Sequence, residues 1–263
     1  MADTQRDWKR RIDRFCDREL TVAIALLIVG GVLGELWWLF DLTSHFWPFY
    51  GLALGPGLCW NLWRRRRKAV GVAGAALVAW VWPLAPFFWP RTEIAGTHLR
   101  IVVANLYSGN AALEEVRAYL RQQDADVLVL MEVHPATWEH LQPLTNEYPY
   151  AKVIPRTDNF GIALLSRLPT ENLVQKRLGT AAIPSLIADL PTPPLRLIAT
   201  HPLPPVGSGN TGHRNRQLAD VAELCRESSR RCIVAGDLNI TPWSPTFRRL
   251  LRDGDLVDSS WGF

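Results

Sequence analysis

The chain has 263 residues, 48% of them hydrophobic and 21% charged, which is the average of an ordinary globular protein. Its net charge is only +4, and much of it sits in Arg64-Arg65-Arg66-Arg67-Lys68, so charge gives no argument for a nucleic-acid partner. The four cysteines, Cys16, Cys59, Cys225 and Cys232, contain no Cys-x-x-Cys or zinc-like spacing, which excludes a cysteine-built metal centre.

The average conceals two compositions. Eight of the twelve tryptophans lie between Leu20 and Pro90, where the only acidic residues are Glu35 and Asp41. Three apolar runs fall there: Leu20 to Phe40, Phe46 to Trp63 and Ala69 to Pro90. Each is near the ~20 residues that a helix needs to cross a bilayer. The second holds Pro48, Pro56 and three glycines and is the weakest span. Trp37, Trp38, Trp47, Trp60, Trp63, Trp82 and Trp89 sit near the run ends, as an interfacial belt would.

The reading is therefore a segment at 1–19, a three-helix membrane anchor at 20–90 and a separate domain at 91–263. Arg6, Lys9, Arg10, Arg11, Arg14 and Arg18 precede the first run, and the basic run at 64–68 separates the second and third. Between the first two runs there is no Lys or Arg. That asymmetry predicts a multi-pass protein of a bacterial cytoplasmic (inner) membrane, with its N-terminus in the cytoplasm and its C-terminal domain periplasmic or extracellular. In that compartment Cys225 and Cys232 could pair.

After the apolar runs, Leu99 to Asn105 reads as a buried strand ending in a polar residue. Ala111 to Gln123 reads as a helix with Leu113, Val116 and Leu120 on one face. Asp126 to Glu132 is a second strand, apolar until its last residue, and a helix follows over 136–144. Strands are predicted at 149–154, 160–166, 171–178, 183–190 and 194–200. The Pro- and Gly-rich 202–212 reads as a loop, 213–228 as a helix, 231–235 as a strand and 244–252 as a short helix. Strand-helix-strand units mixed with runs of strands predict an α/β (α+β) layered domain. Asn105, Glu132, His201 and Asp237-Leu238-Asn239 each follow an apolar strand. Polar residues that end buried strands converge on one rim of a sheet, where ligands bind.

These residues carry a resemblance. Ile233-Val-Ala-Gly-Asp-Leu-Asn-Ile-Thr-Pro-Trp-Ser-Pro245 resembles the Gly-Asp-x-Asn signature of the endonuclease/exonuclease/phosphatase superfamily. Leu128-Val-Leu-Met-Glu132, Phe160-Gly-Ile-Ala-Leu-Leu-Ser166 and Thr200-His201 resemble its other blocks, in the same order. The three apolar runs before them resemble its membrane-anchored bacterial branch. The resemblance implies a four-layer αββα sandwich. It also departs from the pattern, because no Asp-His pair follows Asn239, where the family closes with a strand bearing Ser-Asp-His. The expectation is a sandwich lacking its last strands, with weak or absent hydrolysis from the chain as written.

The chemistry implied is metal-dependent hydrolysis of a phosphoester or pyrophosphate. A hard cation, Mg2+ with Mn2+ as the substitute, neutralises phosphate charge and prefers carboxylate and water oxygens. The resemblance makes Glu132 the metal ligand, supported by Asn105. His201 would donate to a non-bridging phosphoryl oxygen, and Asp237 would orient or deprotonate the attacking water. Asn239 would hold the phosphate or fix Asp237, with both side chains on one face of an extended segment. Asn159 is a candidate substrate contact, and Arg214 and Arg216 are either anion-binding groups or a solvated helix face, outside the catalytic set. The partners expected are the lipid bilayer and a phosphorylated, lipid-linked substrate. An extracytoplasmic endonuclease is the first alternative. It is disfavoured because the domain carries no run of basic and aromatic residues to track a nucleic-acid backbone. An inactive membrane-bound binding protein is the second.

Overall fold

The computed structural model describes residues 2–89 and 99–260. The boundary expected at residues 90 and 91 lies outside the described residues, as do the terminal residues 261–263. Two compact units are present. One holds the described residues 2–89, 241–248 and 258–260, and the other holds 99–240 and 249–257.

The first unit is helical: α1 (Ala2–Val32), α2 (Trp38–Ser44), α3 (Trp47–Trp63), α4 (Arg67–Val81) and α5 (Ala85–Phe88). Its core joins Leu20, Ala23, Leu27, Trp47, Tyr50, Leu54 and Ala73. Trp47 and Trp80 cross-link α3 and α4, each indole donating to the other's backbone carbonyl at 3.0 and 2.8 Å. Arg64 and Arg66 of the basic run pair with Asp13 and Asp17 of α1.

Here the sequence reading of three transmembrane helices is corrected. Among the described residues no helix is long and apolar enough to cross a membrane. In α1 only the part from Leu20 onward is apolar, and the chain leaves the helix after Val32, so the first run is split by a turn before α2. α3 has 17 residues and α4 has 15, both short of the ~20 that a span requires. The hydropathy of a run is a sum over residues, whereas crossing needs one unbroken helix. The inner-membrane localisation and the orientation drawn from the basic residues fall with the spans.

The second unit contains two four-stranded sheets. The first takes β1 (Ile101–Asn105), α6 (Leu113–Gln122), β2 (Val127–Met131), α7 (Pro135–Leu141), a 3-10 turn (Gln142–Asn146), β3 (Tyr150–Ile154) and β4 (Ile162–Ser166). Its strand order is β1-β2-β4-β3, with β1 and β2 parallel and the rest antiparallel. The second sheet takes β5 (Glu171–Arg177), β6 (Pro184–Leu190), β7 (Leu195–Ala199), α8 (Gly207–Arg226) and β8 (Arg231–Ala235). Its order is β5-β6-β7-β8, and only β7 and β8 are parallel. The short helix α9 (Pro245–Asp253) follows.

Side chains alternate across each strand, so one strand feeds two cores. Val127, Val129 and Met131 of β2 and Ile162 and Leu164 of β4 meet Leu186, Ala188, Leu190, Leu195, Leu197 and Ala199 of the second sheet. Leu128, Leu130, Ala163 and Leu165 point the other way, onto Leu120 of α6, Leu141 of α7, and Leu144 and Tyr148. On the outer side of the second sheet α8 buries Leu218, Val221, Ala222 and Cys225. The layers are therefore helix, sheet, sheet, helix, as the resemblance implies. Cys225 and Cys232 are bonded, with Cα atoms 5.4 Å apart, and tie the end of α8 to β8. α8 begins at Gly207 rather than at residue 213. The Pro- and Gly-rich stretch becomes helical from there, with Thr211 Oγ1 donating to the Gly207 carbonyl.

Candidate active site

A parallel strand pair joined by a helix sends both C-terminal ends to the same side. Each sheet has one such pair. β1 ends in Asn105 and β2 is followed by Glu132; β7 is followed by Thr200 and His201, and β8 by Gly236 and Asp237. Two close backbone approaches hold these ends in register. A Cβ on Gly161 would lie 2.0 Å from the Val133 carbonyl oxygen, and one on Gly236 would lie 1.9 Å from the Thr200 carbonyl oxygen. Gly236 also has φ +144, a conformation costly for any residue with a Cβ. That explains the glycine of Gly-Asp-x-Asn: β8 ends against the main chain that leads into His201.

Asn105 joins the two sheets. Its Nδ2 donates to Glu132 Oε1 at 2.9 Å and to Asp237 Oδ2 at 3.2 Å, while its Oδ1 accepts the Tyr107 N–H at 3.0 Å. Glu132 Oε2 accepts the Ser108 N–H at 3.0 Å. His201 Nε2 stands 3.9 Å from Asp237 Oδ2. The His201 ring packs against Phe160 with centroids 5.4 Å apart. Its side chain is 4% exposed, against 42% for Asp237. Burial pushes the imidazole pKa below its ordinary value, against the pull of Asp237, Glu132 and the Asn159 main chain.

The other expected residues stand differently. Asn159 is brought in through Ser108, whose Oγ donates to Asn159 Oδ1 at 2.8 Å. Ser108 thus touches both Glu132 and Asn159. Sequence reading missed it, since a serine in a turn carries no signal of its own. The Asp-x-Asn segment lies beyond β8 and is not extended. Asn239 has φ +50 and its N–H donates to Asp237 Oδ1 at 3.0 Å. Its Nδ2 donates to the Pro202 carbonyl at 2.9 Å. A left-handed turn breaks the period-two alternation, so Asn239 orients Asp237 through the backbone. Arg214 is fully buried rather than displayed to solvent, and Arg216 donates to Thr180 Oγ1 at 3.0 Å.

Glu132 (φ +57), Tyr107 (φ +57) and Asn239 all occupy the left-handed region. Such backbone costs roughly 1–3 kcal/mol per residue and persists where surrounding contacts over-determine it. Here those contacts are the hydrogen bonds to the Asn105 amide and to the two carboxylates.

No group of three His, Cys, Asp or Glu side chains able to hold an ion occurs among the described residues. The donor set at the site is two carboxylates, Glu132 and Asp237, beside one amide. That set fits a hard cation which keeps most of its water ligands and takes one or two carboxylates. It does not fit a closed zinc site.

A family model for the endonuclease/exonuclease/phosphatase family matches residues 102–263. No curated protein matches the chain. Among solved structures, sphingomyelinase C from Streptomyces griseocarneus is 19% identical with a TM-score of 0.49, over 62% of this chain and 72% of that one. A β-hairpin deletion mutant of beta toxin from Staphylococcus aureus is 16% identical with a TM-score of 0.48, over 62% and 75%. D. rerio TDP2 humanized by 14 mutations is 18% identical with a TM-score of 0.46, over 61% and 68%. Likenesses this distant carry no argument about activity. The family match covers more than half of the chain, from β1 onward, and on that ground the chain belongs to the endonuclease/exonuclease/phosphatase family.

Proposed function

We propose that the second unit hydrolyses phosphoesters with the help of a divalent cation held by Glu132. The observation that carries this reading is the Asn105 amide, bonded at once to Glu132 from one sheet and to Asp237 from the other. That amide bridges two carboxylates that would otherwise repel each other. A bound cation supplies neutralisation of the phosphate charge. Asp237 accepts a proton from the attacking water as the new oxygen–phosphorus bond forms and the ester bond breaks. The departing oxygen takes its proton from solvent. His201, through Nε2–H, donates to a non-bridging oxygen whose charge grows in the transition state. The Asn239 N–H fixes which Asp237 oxygen faces the water.

Among the described residues the other histidines of this unit are engaged elsewhere. His134 accepts at the start of α7, His140 Nδ1 bonds the Ala136 carbonyl at 3.0 Å, and His213 bonds Thr180. Water activation therefore rests on Asp237. A phosphatase is favoured over a nuclease because Arg214 is buried and the domain carries no run of basic and aromatic residues to track a nucleic-acid backbone. The expected substrate is a phosphomonoester or pyrophosphate, including one carried on a lipid.

The test is release of phosphate or nitrophenol from p-nitrophenyl phosphate, bis(p-nitrophenyl) phosphate and a lipid pyrophosphate, with Mg2+ or Mn2+ and with EDTA. Plasmid nicking is run in parallel. Turnover is expected to require the cation, and Glu132→Gln and Asp237→Asn should each lower kcat roughly 10²–10⁴-fold with the melting temperature held. Nicking without phosphate release would give the site to a nuclease. Equal activity in EDTA would end the cation's part in the reading.

A further inference from the structure

α8 carries a buried polar stripe where an apolar one is expected. Arg214 and Gln217 lie one turn apart on its inner face and are almost wholly buried, at 0% and 1% exposure. Helix faces that cover a sheet are ordinarily apolar, and a guanidinium keeps its charge wherever it is placed. The hydrogen bonds say what the stripe holds. Arg214 Nη1 donates to the Asn239 carbonyl at 3.2 Å. Its Nε and Nη2 both donate to Asn215 Oδ1, at 3.0 and 2.8 Å, which fixes the plane of the guanidinium. Gln217 Nε2 donates to Thr200 Oγ1 at 2.9 Å, and Thr200 Oγ1 shares a further bond with Ser185 Oγ at 2.8 Å. Asn239 and Thr200 are the neighbours of the two site residues of this sheet, two residues from Asp237 and one from His201. A third bond closes the figure, from Asn239 Nδ2 to the carbonyl of Pro202, the residue after His201.

We propose that Arg214 is a positioning residue for the phosphoester site, with Gln217 as its companion. Together they clamp the loops after β7 and β8 to one rigid helix and so set the spacing of His201 and Asp237. The inference rests on the hydrolytic reading above for its kinetic consequence, but not for its structural one. Asn239 has a left-handed backbone whose carbonyl needs a donor to hold it in place. The arginine fork, locked by Asn215, supplies a donor with one fixed direction. A lysine keeps the charge and loses that direction. A methionine keeps the packing and loses both.

The test compares Arg214→Lys, Arg214→Met and Gln217→Leu with the unmodified full chain. Hydrogen-exchange mass spectrometry reads the loops directly, with no need for turnover. Peptides covering 236–242 should exchange at least about tenfold faster in Arg214→Met, while peptides within β2 and β4 stay protected. Gln217→Leu should loosen 200–204 more than 236–242. For turnover of p-nitrophenyl phosphate with Mg2+, kcat should fall at least about tenfold in Arg214→Met with KM within about twofold. Millimolar guanidinium chloride, far below denaturing levels, should restore part of it, and Arg214→Lys should not match the unmodified chain. Uniformly faster exchange over the whole sandwich would reduce Arg214 to a general core residue and overturn the proposal. Unchanged exchange at 236–242 would overturn it equally. An unmodified chain without turnover, but with the expected exchange pattern, would remove the hydrolytic reading and leave the clamp standing.

Discussion

The two sheets of the second unit reach the same site by different means. Behind the first sheet the outer core is apolar, built from Leu128, Leu130, Leu120, Leu141, Leu144 and Leu165. Its site residue Glu132 is steered from the front, by the Ser108 N–H and the Asn105 amide. Behind the second sheet the helix supplies Arg214 and Gln217, and the site is steered from the back. A backbone N–H in a tight turn can orient a carboxylate without any support from the layer behind it. A loop carrying both Asp237 and a left-handed Asn239 has more freedom to remove. The lesson is that sheets of similar architecture can divide one task, with one contributing rigid packing and the other a hydrogen-bonded frame.

That difference can be broken most severely at the two glycines. Gly236→Ala places a Cβ on the Thr200 carbonyl and forces a positive φ on alanine. Gly161→Ala meets the Val133 carbonyl without a positive φ. Both should cost about 3 kcal/mol or more, Gly236→Ala the more, as read from urea midpoints. Equal midpoints for Gly236→Ala and the unmodified chain would contradict the close approach described above.

A matched pair of core variants sharpens the contrast between apolar and polar support. Leu130→Ala in the first sheet should cost roughly 2–5 kcal/mol, with no dependence on pH between 3 and 7. Asp189 of β6 is almost fully buried and receives both Nε and Nη2 of Arg196 on β7, at 2.8 and 3.0 Å. Asp189→Asn should cost roughly 1–3 kcal/mol near neutrality. The Arg196 hydrogen bond, chiefly, holds the Asp189 carboxyl below its ordinary pKa. The unfolded chain takes up the proton near the ordinary value of about 4 and the folded chain only below it. The stabilisation is therefore complete above about pH 5 and is lost as pH falls through the depressed folded value. The gap between the unmodified chain and Asp189→Asn should narrow on acidification; a gap constant from pH 7 to pH 3 would refute the assignment.

The smallest effect is expected on the rim of the same sheet. Glu171 pairs with Arg230 at 2.9 Å, but its side chain is 53% exposed. Glu171→Ala should change stability by no more than about 1 kcal/mol, and less in high salt. A larger loss would mean that the charged groups at the surface of the second sheet matter as much as those beneath it.

The helical unit differs from the sandwich in how much apolar surface it leaves uncovered. Phe49, Leu52, Val78, Trp82, Phe88 and Trp89 are all exposed there. Composition recorded that surface faithfully, but it did not record where the helices stop. Val32 ends α1 and residues 33–37 turn before α2, although hydropathy runs on through Phe40.

By itself the sequence determined the alternation of strands and helices in the second unit, and the polar residues that end β1, β2, β7 and β8. It did so because strands buried on both faces, β2, β4 and β6, leave an unmistakable apolar run, and because a parallel pair must place its C-terminal ends together. It also determined the Gly-Asp-x-Asn block, since only glycine tolerates the Thr200 carbonyl at that distance. Tertiary structure alone decided the rest. It turned Asn239 away from the expected face, because a left-handed residue breaks strand alternation. It brought Ser108 to Glu132 and buried Arg214 beneath the site. It brought Cys225 to Cys232 by returning β8 along the end of α8. It also broke the apolar runs, so that among the described residues no helix is both long and apolar enough to span a bilayer. Each of these depends on which backbone atoms meet across distant segments, and hydropathy and spacing record nothing of that.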